Sequence, residues 1–168
     1  SGSTREDIDL NNQILRERAR MLYMAAPIAS SAIKTPRTNA IGMGLKMNPK
    51  IDREVLRLGA EEADFWEKKT KAEFALWAED KSACDAAGMN NFYGLQQLCF
   101  MSWLVSGDVF ILKKQRKETK WHPYSLRLQV IEADRCATPE STGVLHVTEA
   151  KWGKNTIHDG VEVNPDGM

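Results

Sequence analysis

Residues 90–114 read NNFYGLQQLCFMSWLVSGDVFILKK, and this stretch decides the fold class. Asn90 or Asn91 suits a helix N-cap, because a short polar side chain accepts from the free amides of the first turn. Phe92, Leu95, Leu98, Cys99, Met101, Trp103, Leu104 and Val105 then leave the helix almost no polar side. A helix of that kind is expected in a core. Gly107 ends it, and DVFILKK turns at once into a strand.

Downstream, the charged loop QRKETKWHP leads to SLRLQVI, where Leu126, Leu128 and Val130 alternate with Arg127 and Gln129. That period of two predicts a strand with one buried and one wet face. EADRCATPE reads as a turn with helical tendency, and residues 141–156 as polar and irregular. The last stretch, GVEVNPDGM, carries Asn164-Pro165-Asp166-Gly167, a hairpin turn with proline second and glycine fourth. A strand and a turn call for a returning strand, so the expectation is a chain truncated within a hairpin and cut from something longer.

Upstream, Asp7 to Ala25 is helical in pattern. Ile8, Leu15 and Leu22 recur every seven residues, with Arg16, Arg18 and Arg20 among them. Pro27 suits the first turn of a second helix, and Pro36 is expected to kink or end it, lacking an amide hydrogen and crowding the preceding turn. Around Gly42 and Gly44 the backbone loosens, and Leu45 and Met47 alternate with Lys46 and Asn48 as in a short strand. Asp52 caps REVLRLGAEEADFWEKKTKAEFALWAED, either one long helix or two short ones around Lys69. Leu58, Phe65, Trp66, Phe74 and Trp77 form its apolar stripe, and Cys84 to Gly88 reads as a helical turn closed by glycine. Core packing accounts for the tryptophans at 66, 77 and 103. The expected architecture is α+β, several helices in the N-terminal half packed against a small, mostly antiparallel sheet. Residues 1–5 are expected to be disordered or tag-derived, and residues 6–168 to form a single domain.

Composition narrows the function classes. Hydrophobic residues make up 42% and charged residues 27%, as in ordinary globular domains. The 23 basic and 23 acidic side chains cancel, which argues against wrapping nucleic acid by bulk charge. There is no apolar run of membrane-spanning length, and the opening SGSTRED lacks the hydrophobic stretch of a signal peptide. Cys84, Cys99 and Cys136 are odd in number and widely spaced, with no CxxC, and read as reduced thiols.

Chemistry-bearing motifs are weak. Gly42-Met43-Gly44 is a bare GxG, better read as a hinge or bulge than as a phosphate cradle. Glu132 and Asp134 make a carboxylate pair without converging ligands; a strand end with Asp134 capping the next turn explains them better. His122, His146 and His158 lie scattered in loops, so a zinc spacing is lacking, although a Cys–His pair distant in sequence stays open. The most distinctive feature is KKQRKETKWH. Lys113, Lys114, Arg116, Lys117 and Lys120 surround a loop next to Trp121. Such a loop can touch a phosphate backbone or a neighbouring subunit; equally, it can be a solvated hairpin tip.

Several consecutive segments resemble the lambda-family portal proteins of tailed phages. LRERARMLYMAAPIASSAI is similar to the family's arginine-rich helix, and NAIGMGLKMNP to its Asn-x-x-Gly-x-Gly-Leu strand. FALWAED followed by ACDAAGMNNFYGLQQL shows tryptophan, then Cys-Asp-Ala-x-Gly, then an aromatic-initiated helix in the family's order. SWLVSGDVFILKK resembles the junction written Gly-Glu-x-Phe, with Asp108 replacing glutamate. LRLQVIEADRCATP resembles Leu-x-Leu-Gln-x-Ile-Glu-x-Asp-Arg, and IHDGVEVNPDGM the Gly-Val-Glu hairpin. Pro36 is a departure, sitting where the family helix carries on. The order and spacing of the segments across residues 15–168 carry the likeness.

The resemblance implies a structural subunit of a phage or prophage portal, and no catalytic residue, metal or cofactor. Portal subunits form a dodecameric ring at one capsid vertex, through which double-stranded DNA is packaged and ejected. The implied partners are sister subunits, terminase, capsid and head-tail joining proteins, with no membrane. The implied location is the virion, with assembly in the host cytoplasm. The chain resembles the N-terminal part of the wing, before the clip and stem. The outer face of SLRLQVI and the long helix around Glu61–Glu79 are the candidate ring contacts. The competing reading is a nucleic-acid-binding module using the basic loop 113–122; another is a small enzyme with a Cys- or carboxylate-based site.

Overall fold

The structure, a computed structural model, describes residues 11–139 and 149–167. The expected disorder of residues 1–5 and the start of the first helix at Asp7 fall outside them. Helices α1 (Asn12–Ala25), α2 (Pro27–Ala40), α3 (Arg53–Leu56), α4 (Ala60–Glu79), α5 (Lys81–Cys84) and α6 (Phe92–Ser106) come first. Strands β1 (Val109–Gln115) and β2 (Leu126–Glu132) form one small antiparallel sheet. A second, in the order β3-β4-β5, is built from Glu149–Trp152, Asn155–His158 and Val161–Val163. The architecture is α+β, as expected.

The chain divides into two compact units. One comprises Thr35–Phe100 and Ile111–Val130. Its core is Trp77, Ala78, Ala83, Cys84 and Leu95, with Phe74, Phe92, Tyr93, Tyr124, Leu128 and Val130 packed against them. Phe74 and Trp77 share a helix face at a spacing of three, and both meet Phe92, at 5.5 and 5.2 Å between ring centroids. The Phe74–Phe92 pair is edge-to-face at 88°, the arrangement that sets a ring's positive edge against its neighbour's negative face. The Trp77 indole donates to the Leu126 carbonyl at 2.9 Å, so the buried polar handle is satisfied.

Buried Asp85 organises the turn between α5 and α6. Its carboxylate accepts from the amides of Ala87, Met89 and Asn90 at 2.9 to 3.0 Å. Asn91 then caps α6 by accepting from the Gly94 amide at 2.9 Å, which decides between the two candidate asparagines.

The other unit comprises Ser1–Lys34, Met101–Phe110 and Ile131–Met168. Arg16 and Arg20, one turn apart on α1, both reach Asp134. Arg16 also donates to the Ser106 carbonyl at 2.8 Å and to Asp108 at 3.2 Å. The β3–β5 meander is antiparallel throughout, with Ala150 opposite Ile157 and Ile157 opposite Glu162. The Asn164–Gly167 turn is present, closed by the Gly167 amide donating to the Asn164 carbonyl at 3.0 Å.

Several expectations are corrected. α2 runs on through Pro36 to Ala40, because a missing amide removes one ladder bond while the next ones, such as Ile41 to Arg37 at 2.9 Å, remain. Residues 45–48 form no strand. The Gln96 side chain takes both backbone groups of Leu45, at 2.6 and 3.0 Å, in place of a neighbouring chain. Asp52 caps only the single turn α3; Arg57 then turns left-handed at φ 53° and α4 starts afresh, running unbroken through Lys69. Asp134 is no helix cap but an arginine partner. Of residues 141–156, expected to be irregular, those described from 149 onward belong to two strands of the meander and their turn.

The largest correction concerns α6. Leu95 is its one buried residue, and Trp103 is 53% exposed, so uniform apolarity here does not mean burial within this chain. Trp66, at 48%, also lies outside the core.

Candidate functional site

The basic loop of the sequence becomes a hairpin. Lys113 and Lys114 lie on β1, and the chain closes through Arg116, whose amide donates to the Ser125 carbonyl at 2.9 Å. At the far end, Thr119 and His122 exchange both backbone hydrogen bonds, at 2.9 and 3.0 Å. That pairing leaves Lys120 and Trp121 as the two residues of the tip. The Lys120 ammonium sits 5.9 Å from the centre of the Trp121 ring, within reach of its electron-rich face. Trp121 is 82% exposed. Lys113, Lys114, Arg116, Lys117 and Lys120 are all exposed, and no described residue forms an ion pair with any of them. The structure therefore brings the six residues singled out in the sequence onto one hairpin.

Beside the tip and returning limb of this hairpin lies a hollow of about 230 Å³, lined by Leu76, Asp80, Ser82, Trp121, His122 and Tyr124 among others. Its polar groups are already engaged. Asp80 caps α5, accepting from the Ser82 amide at 2.8 Å and from the Ser82 hydroxyl at 2.7 Å. The hydroxyl bond chiefly, helped by the amides and by His122 nearby, holds the Asp80 carboxyl below its usual range. Arg127, on the supposedly free face of β2, donates to the Ser82 carbonyl. The Tyr124 hydroxyl donates to Glu73 at 3.0 Å, and its ionisation is pushed up mainly by burial.

Among the described residues the candidate reactive groups of the sequence do not gather into one cluster. No group of three or more His, Cys, Asp or Glu converges as a metal site would require. Burial pushes the Cys84 and Cys99 thiols up, the opposite of what a nucleophile needs. Asp134 is occupied by Arg16 and Arg20. His146 lies outside the described residues. No helix among the described residues is long and apolar enough to cross a membrane.

What the structure does offer in quantity is exposed apolar surface. Phe65 and Trp66 on α4 are 69% and 48% exposed, and Val55 and Leu56 on α3 project beside charged neighbours. The hairpin adds Ile111 and Leu112. Large exposed apolar side chains, where they are contiguous, mark surfaces that other protein covers. Arg16 and Arg20 escaped notice as a pair in the sequence, although their spacing of four placed them on one helix face.

The model of the family described as phage portal protein, lambda family, matches residues 1–168. The chain belongs to the lambda family of phage portal proteins. A comparison with curated proteins finds no match. Portal proteins are structural components of the virion's portal vertex.

Proposed function

We propose that this portal-family chain is a passive structural subunit of a phage or prophage portal ring, the conduit at one capsid vertex for DNA packaging and ejection. The observation that supports it most is the family match along residues 1–168, taken with the exposed apolar faces of α3, α4 and the hairpin. Side-to-side contacts that close into a ring need two different faces on each subunit. Sister subunits are the primary partners; terminase, capsid and head-tail joining proteins meet the assembled ring. Assembly takes place in host cytoplasm, and the finished ring resides in the virion. The protein needs neither catalytic residues nor a cofactor, since a conduit must let DNA slide rather than act on it. Near-zero net charge suits that demand, because phosphate contacts accumulate along a duplex and would hold it. Sedimentation velocity with negative-stain imaging tests the assignment. Closed rings are expected; a protein that stays monomeric at every concentration overturns it.

A second reading rests on the hairpin. Five unpaired basic side chains beside an exposed tryptophan also suit a nucleic-acid-binding module. It requires salt-sensitive duplex binding whose slope falls when Lys113, Lys114 and Lys117 are replaced. Little binding at moderate salt favours the ring.

A further inference from the structure

The chain's neutrality hides a division of charge. Residues 52–67 carry six carboxylates against two guanidiniums, a net charge of −4. Residues 113–122 carry five basic side chains against Glu118, a net charge of +4. Both stretches belong to the same compact unit. Each also displays large exposed apolar side chains: Val55, Leu56, Phe65 and Trp66 in the acidic stretch, Trp121 with Ile111 and Leu112 alongside in the basic one.

The acidic stretch is contiguous in sequence, running over α3 and the first two turns of α4. The Ile51 amide donates to Glu67 at 2.8 Å, which folds the α3 segment back along the first two turns of α4. The basic turn that follows begins with Lys68, already paired with Asp64 at 2.7 Å. The hairpin is fastened to the other half of α4, through Tyr124 to Glu73 and Leu126 to Trp77. From Asp64 to Trp77 a helix rises about 20 Å, so the acidic stretch and the hairpin's attachment lie toward opposite ends of α4.

We infer that the two patches are the two halves of one intermolecular contact: the α3–α4 patch of one copy seats the basic hairpin of the next copy. Opposite net charges, each with exposed large apolar side chains in the same stretch, fit a second copy of this chain. A duplex, with negative charge only, fits one patch and is repelled by the other. The contact is head-to-tail, because each copy offers one half at each end of α4, and repetition propagates it. It rests on the ring assignment and says which surfaces close the ring.

Mixed charge reversal tests it on the full chain. One variant carries Lys113→Glu, Lys114→Glu and Lys117→Glu; the other carries Glu54→Lys, Glu61→Lys and Asp64→Lys. All six positions are exposed, and circular dichroism checks that both variants fold. Each variant alone sets like charges against each other and should associate on the order of a hundredfold more weakly than the parent. An equimolar mixture restores opposite charges at every contact and should recover assembly. Parent-like association of either variant alone, or no recovery on mixing, overturns the contact and leaves the ring assignment standing. Loss of duplex binding by the hairpin variant with association unchanged also overturns it, in favour of DNA. A parent chain that never associates overturns both.

Discussion

The guanidinium of Arg16 lies 3.6 Å from the Asp134 carboxylate, joining α1 to the short 3-10 helix after β2. Arg16 is only 15% exposed at its side chain and also serves the Ser106 carbonyl and Asp108. Three acceptors held by one rigid fork are beyond the reach of an ammonium.

Arg16→Ala is therefore expected to destabilise the protein by about 2 kcal/mol, leaving the Ser106 carbonyl short of its partner. Arg16→Lys should recover less than half of that. Urea unfolding of the three proteins measures both; a lysine variant equal to the parent would show that charge alone matters.

Asp85 is 3% exposed and satisfies three backbone amides. Asp85→Asn places an amide nitrogen against donors that need an acceptor, and about 3 kcal/mol should be lost. Asp64→Asn, on the exposed start of α4, should cost under about 1 kcal/mol. Equal midpoints for these two variants in a thermal melt would sink the assignment of Asp85 as the organiser of that turn.

Gly160 turns β4 into β5 at φ 83°, and a Cβ there would stand 2.7 Å from the Ala137 amide nitrogen. Backbone cannot yield as a side-chain end does, so Gly160→Ala should cost about 3 kcal/mol. Gly153 has a similar φ of 63° with nothing within 4 Å, and Gly153→Ala should cost about 1 kcal/mol. Hydrogen exchange at Thr156 and Ile157 reports the difference directly.

Burial favours the neutral Cys84 thiol, raising its ionisation above the ordinary 9.0. The folded state then holds its proton more firmly than the unfolded chain. This contribution is complete below pH 9.0 and is lost as the pH climbs through the raised value. Cys84→Ala should flatten part of the alkaline decline in unfolding free energy. Alkylation of Cys84 in the native protein should run slower than that of free cysteine; a faster rate would revive the nucleophilic reading.

Local signals in the sequence were legible where a residue acts on its own neighbours. Asn91, Asp52, Gly107 and the Asn164–Gly167 turn all do what their chemistry dictates within a few residues. The sequence misled where the deciding partner is remote. Leu45 and Met47 alternate like a strand, but strands need a neighbour, and Gln96 fills that role from fifty-one residues away. Asp134 has the profile of a cap until Arg16 and Arg20 arrive from α1. The apolarity of α6 is genuine, yet a periodic reading cannot say how much of it this chain's own packing covers, and Trp103 keeps 53% of its surface exposed. The hairpin's basic residues were visible at once; their acidic counterpart was hidden because helix periodicity drew attention to Phe65 and Trp66 as core.

The segment from Gly42 to Leu45 is fastened to α6 by two glutamine amides, Gln97 to the Gly42 carbonyl at 2.7 Å and Gln96 to both peptide groups of Leu45. These anchors grip peptide groups and so are indifferent to the side chain at Leu45, whereas Gly44 must stay bare, because a Cβ there would stand 2.5 Å from the Tyr93 ring. Leu45 itself, 62% exposed, can be exchanged without loosening the clasp. A change at Leu45 can therefore alter what the segment shows to its surroundings while the two glutamines keep its path fixed.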